Sequence, residues 1–150
     1  MSLVQEREPA EAVAAAGLGA MYYVIGHNSS DLWGTTRESF ALRAAAADVP
    51  AGPAADLLRE AGQEVVDRHT GEAAVDLRDK DGLRALGPEQ VAGVLPVLGQ
   101  LPDAAAEQVR AWILGIAAQV AEAAYDVGQT EEISDTERRA LDAIRGVLSA

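Results

Sequence analysis

Apolar residues recur every three or four positions along most of this chain, a spacing that places them on one face of an α-helix. No segment shows the strict alternation of apolar and polar residues expected of a half-buried β-strand. The pattern therefore predicts an all-α fold, with residues 1–150 forming a single compact bundle of about six or seven helices. The predicted helices run from Pro9 to about Gly26, from Thr35 to the break at Pro50, from Ala54 to about His69, from Pro88 to a kink or end at Pro96, from Asp103 to about Tyr125, and from Ser134 to Leu148.

Each predicted helix carries an apolar face that we expect to turn toward a shared core. The longest helix, which starts at Asp103, should lie at the centre of the bundle and pack against residues 18–25. Residues 70–87 mix three glycines with charged residues, which predicts short helical turns and exposed loop there. The predicted core positions are Leu18, Met21, Tyr22 and Ile25, then Leu58, Ala61 and Val65, then Val109, Trp112, Ile113, Ile116 and Val120, and finally Leu141, Ile144 and Leu148.

Two regions 99 residues apart share a helix-loop-helix pattern. Thr35 with Glu38, and Ser134 with Glu137, each have the spacing of a capping box at the start of a helix. Both boxes follow a long apolar helix at the same distance, which favours an internal duplication. Two unrelated helical hairpins are the alternative, because capping boxes are common.

This arrangement resembles the TerB family of bacterial tellurite-resistance proteins, mainly over residues 104–150. In that family a helix ends near an Asp-Gly turn, a capped helix with an acidic first turn follows, and the unit occurs twice. The resemblance implies a compact helical domain whose acidic loops bind a divalent metal and which is linked to stress-response assemblies. The matching residues are Asp126, Gly128, Ser134, Asp135 and Glu137 in the second unit, and Asp31 and Glu38 in the first, where His27 and Asn28 replace the Asp-Gly pair.

The loop over residues 126–137 concentrates carboxylates, the oxygen ligands that Ca²⁺ and similar hard cations prefer. The loop does not fit a standard EF-hand, because Glu131 stands at the sixth position, where glycine is needed. A looser site formed by Asp126, Glu132 and Asp135, with Asp31 from the first unit, is the metal-binding hypothesis. Alternatively, these acidic groups stabilise the dipole of the following helix without any metal.

The charge balance limits the kinds of partner. A net charge of −12 argues against binding to nucleic acid or to an anionic lipid surface. It permits a cation or a protein partner with a basic surface. The chain has no cysteine, which excludes disulfides and thiolate chemistry. No serine-nucleophile or zinc-hydrolase motif is present, so we predict a non-enzymatic protein, although a hydrolase using paired carboxylates is a further alternative.

No export signal is evident at the amino terminus, where Glu6, Arg7 and Glu8 interrupt the apolar residues. The most apolar window, Ala111 to Ala124, is shorter than the roughly 20 residues that cross a bilayer. We therefore expect a cytoplasmic protein without membrane insertion. The leading hypothesis is a TerB-like domain that binds divalent cations, and the alternative is a metal-free interaction scaffold with an acidic surface. The partner and the oligomeric state are left open.

Overall fold

The computed structural model describes residues 9–27, 41–69, 79–123 and 135–149. Nearly all of these residues are helical, and these ranges contain no β-strand, so the predicted all-α fold is confirmed. The capping residues Thr35, Glu38 and Ser134 lie outside the described ranges, and the internal duplication therefore stays a prediction. The helices are α1 (Pro9–Gly26), α2 (described over 41–47), α3 (Ala55–His69), α4 (Lys80–Ala92), α5 (Leu95–Gln100), α6 (Asp103–Ala123) and α7 (Asp135–Leu148).

The central helix of the bundle is α1. Fourteen of its 18 residues are buried, and it packs against α3, α4, α6 and α7. The prediction that the helix from Asp103 lies at the centre was therefore wrong, although α6 does pack against α1 as expected. The physical reason is composition. Alanine and glycine make α1 apolar on every side, whereas α6 keeps the exposed Glu107 and Glu122 on its outer side.

The predicted core faces are confirmed in α1, α3 and α6. In α7, Ile144 and Leu148 are buried while Leu141 is half-buried. Burial of a large aliphatic side chain contributes about 1.5–3 kcal/mol, so each of these residues stabilises the bundle. The largest fully buried side chains are Met21, Ile25, Leu42, Leu58, Leu83, Ile113, Ile116, Ile144 and Leu148.

Residues 80–87 belong to one continuous helix, whereas short helical turns and exposed loop were predicted for residues 70–87. Helix α4 starts at Lys80, where the carboxylate of Asp79 accepts a hydrogen bond from the Gly82 N–H at 3.1 Å. Pro88 was expected to open a helix but lies inside α4. A proline inside a helix costs about 3 kcal/mol, and the complete burial of Leu83 and Val91 on either side offsets this cost.

Pro96 also differs from its prediction. It was expected to kink or end a helix before Gly99, but α4 has already ended at Ala92. Pro96 lies in the first turn of the short helix α5, and Gly99 belongs to that same helix. The first turn tolerates proline because its N–H groups have no partner within the helix. The proline therefore starts a helix here.

Helix α4 also caps the carboxyl end of α1, whose own last turn contains no basic residue. Lys80 Nζ donates to the Ile25 carbonyl oxygen at 3.0 Å, and Arg84 Nη1 donates to the Gly26 carbonyl oxygen at 3.3 Å. The last carbonyl groups of a helix lack intrahelical partners and carry partial negative charge. Cations from a neighbouring helix therefore satisfy the end of α1.

Two polar side chains of α6 attach other parts of the chain to it. Gln108 Oε1 accepts from the Ala54 N–H at 2.7 Å, and Gln108 Nε2 donates to the Ala51 carbonyl oxygen at 3.0 Å. Arg110 Nε donates to the Leu148 carbonyl oxygen at 3.0 Å. Gln108 therefore binds the turn before α3 to α6, and Arg110 binds the end of α7 to α6.

Candidate functional site

Of the four predicted metal ligands, the structure describes one, Asp135. Asp31, Asp126 and Glu132 lie outside the described residues. Asp135 is the first residue of α7, and its side chain is 77% exposed. Arg138 Nη1 lies 3.6 Å from Asp135 Oδ1, a loose ion pair within one turn of the helix. Over the described ranges, no group of three or more histidine, aspartate or glutamate side chains is arranged to hold a metal ion.

His27 is joined to the end of α1. Its Nδ1 donates a hydrogen bond to the Tyr23 carbonyl oxygen at 2.8 Å, and the two rings lie 4.4 Å apart between centroids. The imidazole thus satisfies one of the last carbonyl groups of the helix. Trp33, a loop residue that would be either a lid over the interior or a partner contact, lies outside the described residues.

The core contains two aromatic polar groups. Trp112 is only 5% exposed, as its place on the apolar face predicted, and its Nε1 has no hydrogen-bond partner among the described residues. Tyr22 is 6% exposed. Burial raises the pKa of Tyr22 above its ordinary value of 10.0, and the positive charge of Arg68 opposes that rise. Both side chains belong to the packed interior.

The surface arginines are largely paired with acidic residues of their own helices. Within the described ranges, six arginines lie within 4.0 Å of a carboxylate three or four positions earlier. Such exposed pairs contribute only about 0.2–1 kcal/mol each. The six pairs engage six of the 12 basic residues, in a chain that has 24 acidic residues. The pairs are Asp56–Arg59, Glu64–Arg68, Asp81–Arg84, Glu107–Arg110, Asp135–Arg138 and Asp142–Arg145.

A groove of about 300 Å³ lies between α5 and α6, and we call it the α5–α6 groove. Leucine and alanine side chains line its apolar part, and acidic residues at the start of α6 form one rim. Sequence reasoning missed this groove. The available signal was the spacing of three leucines around Pro96 and Pro102. The lining residues are Leu95, Leu98, Gly99, Leu101, Asp103, Ala106, Glu107 and Arg110.

A second, wider groove of about 470 Å³ lies between α6 and the end of α7, where Leu114 and Leu148 form its apolar part. The two grooves meet at the Glu107–Arg110 ion pair, in which Arg110 Nη1 lies 2.6 Å from Glu107 Oε1. Arg110 also donates to the Leu148 carbonyl oxygen, so its guanidinium is engaged on both sides. The boundary between the grooves is thus a fixed polar contact.

Among the described helices, none combines the length and the apolar content that crossing a membrane requires. No protein-family model, curated protein or solved structure matches this chain. The all-helical fold is shown by the structure itself. Because no comparison matches, the TerB resemblance depends on the sequence motif alone.

Proposed function

We propose that this protein is a non-enzymatic, TerB-like helical domain that acts by binding, through acidic groups carried on a closed helical bundle. The observation that supports this proposal best is the distribution of charge. Six arginines of the described helices are engaged by nearby carboxylates, while the chain carries twice as many acidic as basic residues. The surplus negative charge is therefore available to a cation or to a basic partner.

The first form of the proposal is a divalent cation held by the loop over residues 126–137. Asp126, Glu132 and Asp135, with Asp31, would supply oxygen ligands for Ca²⁺ or a similar ion. The exposure of Asp135 at the start of α7 supports this form. The ion pair of Asp135 with Arg138, at 3.6 Å, is loose enough to be exchanged for a metal bond.

The second form is a metal-free scaffold that meets a basic protein partner. The exposed side of α3 supports it, because Asp56, Glu60, Glu64 and Asp67 lie there within about three helical turns. Only Arg59 and Arg68 accompany these four carboxylates on that helix. A surface with this balance attracts a basic surface over about 8–10 Å at moderate salt.

Titration calorimetry with Ca²⁺, Mg²⁺, Mn²⁺ and Zn²⁺ separates the two forms. Millimolar or tighter binding that is lost in Asp126→Ala, with helical content intact by circular dichroism, supports the metal form. Asp142→Ala is the matched control, because it removes an exposed α7 carboxylate outside the loop. If no cation produces heat or a thermal shift, the metal form is rejected and the scaffold form remains.

The TerB resemblance also suggests a cytoplasmic role in the stress response, including tellurite resistance. Growth on tellurite after deletion of the gene tests this role directly. Restoration of growth by the wild-type chain and not by Asp126→Ala would connect the role to the acidic loop. Equal growth of the deletion strain and its parent would separate this protein from tellurite.

A further inference from the structure

The α5–α6 groove combines a small exposed apolar surface with a larger polar surface that carries negative charge. Leu95 and Leu101 remain half-buried on its sides, and Leu98 and Ala106 are buried beneath them. Helix α5 is only six residues long and packs chiefly against α6 and α1, so its outer side has no covering element among the described helices. Burial of exposed aliphatic surface contributes about 25 cal/mol per Å², which gives an incoming side chain a driving force.

The charges on the groove rim are asymmetric. Asp103 is exposed and makes no ion pair with any described residue. Glu107 is 74% exposed, and only one of its carboxylate oxygens accepts from Arg110. Arg110 is the single cation in the lining, and both Glu107 and the Leu148 carbonyl oxygen already engage it. The charge that the rim offers to a partner is therefore negative.

From this complementarity we propose that the α5–α6 groove binds a segment of a partner protein that presents aliphatic side chains beside lysine or arginine. The aliphatic side chains enter between Leu95 and Leu101, and the cations pair with Asp103 and Glu107. This inference rests on the proposed function as an acidic binding domain, and it specifies where the partner binds and what its chemistry is. An amphipathic helix or a short extended segment satisfies this chemistry.

The test uses the full chain and a short synthetic amphipathic peptide of leucine and lysine. One control peptide has the same composition in a scrambled order, and another has glutamate in place of lysine. Amide chemical shifts of the isotopically labelled protein locate the contact, and fluorescence anisotropy of the labelled peptide gives the affinity. We expect the largest shifts at residues 95–107, and at least about tenfold weaker binding of both control peptides.

Matched variants separate the groove from the general negative charge. A Cβ added at Gly99, which lines the groove, meets no atom within 4 Å, so Gly99→Leu blocks the groove without disturbing the core. Gly146→Leu is the control, since Gly146 on α7 is equally open and lies outside this groove. Asp103→Asn is compared with Asp81→Asn, because both aspartates lie in the first turn of a helix and Asp81 lies outside the groove and outside α3. Gly99→Leu and Asp103→Asn should each weaken binding by about tenfold, and the two controls should leave it unchanged.

Three results would overturn the inference. Shifts confined to α3, with Asp56→Asn as the weakening variant, would reject the groove and retain the proposed acidic binding surface. Equal binding of the glutamate peptide would reject the charge argument. A protein that sediments as a dimer and becomes monomeric in Gly99→Leu would show that a second copy occupies the groove. If no peptide binds, the inference fails, while the cation titration still decides the metal form of the proposed function.

Discussion

Gly19 and Gly87 face each other so closely that a Cβ added to either residue would lie 2.8 Å from the carbonyl oxygen of the other. Real Cβ atoms essentially never approach another heavy atom to less than 3.0 Å. Helix α1 therefore meets α4 backbone to backbone, and glycine is required on both sides of the contact. Since α1 is the central helix, this contact sets how α4 joins the bundle.

Replacing Gly87 by alanine tests this contact. Alanine improves helix propensity by about 1 kcal/mol, but its Cβ would lie 2.7 Å from Tyr23 Cβ and force the helices apart. Overpacking costs about 1–3 kcal/mol, so we expect Gly87→Ala to lower the free energy of unfolding in urea denaturation. Gly115→Ala in α6 is the control, because its Cβ meets open space and should stabilise the protein by about 0.5–1 kcal/mol. Equal stabilisation by both substitutions would refute the close contact.

Replacing Gln108 should lower the free energy of unfolding by an amount similar to that expected for Gly87→Ala. It accepts from the N–H of the buried Ala54 and donates to the Ala51 carbonyl oxygen. An unsatisfied buried donor costs about 1–3 kcal/mol, so Gln108→Ala should lower the free energy of unfolding by about that amount. Gln63→Ala on α3 serves as control, since its side chain bonds an exposed carboxylate. Comparable losses in thermal denaturation for the two variants would show that the turn before α3 does not depend on Gln108.

Asp79 should determine where α4 begins. Its carboxylate caps the Gly82 N–H, and replacing such a cap by alanine costs about 1 kcal/mol. We expect Asp79→Ala to lower stability and to increase amide hydrogen exchange in the first turn of α4. Asp79→Asn should retain most of the stability, because asparagine is an equally good cap. A loss in the asparagine variant as large as in the alanine variant would point to the charge of Asp79 instead of its hydrogen bond.

The buried phenol of Tyr22 predicts a loss of stability at alkaline pH. Burial raises its pKa in the folded protein, so the folded state binds the proton more tightly than the unfolded state. The associated stabilisation is fully present below the unfolded pKa of about 10 and is lost as the pH rises through the folded pKa. Urea denaturation at several pH values above neutrality should show this decline, and Tyr22→Phe should reduce it.

Arg68 provides an independent check on Tyr22. Its positive charge favours the tyrosinate and partly opposes the effect of burial. Arg68→Met should therefore raise the pKa of Tyr22 further, which ultraviolet absorbance of tyrosinate measures in the native protein. A pKa that falls in this variant would contradict the assigned cause.

Local signals predicted several helices closely. Pro9 and Gly26 bound α1, and Asp103 begins α6, as the sequence indicated. Local signals misplaced α4, because Gly82 and Pro88 are unfavourable within a helix when only their own propensities are considered. The burial of Leu83 and Val91 against other helices overrides those propensities.

Of the two candidate sites, the acidic loop was predicted from the sequence and the groove was not. The sequence drew attention to the acidic residues of the 126–137 loop, of which the structure describes the side chain of Asp135. The α5–α6 groove was not predicted, because the pattern within one segment does not show that Leu95 and Asp103 line the same concave surface. Its shape depends on the angle at which α5 meets α6.

By itself, the sequence determined the helical class, the apolar faces and the excess of negative charge, because these follow from side-chain chemistry and from periodicity along one segment. Only the tertiary structure decided that α1 is enclosed, that Lys80 and Arg84 cap it, and that a groove opens beside α5. Contacts between residues 55 or more positions apart fix the capping of α1, and the packing of α5 against α6 fixes the groove. Such contacts depend on how closely two backbones can approach, and that distance is set jointly by the residues on both helices.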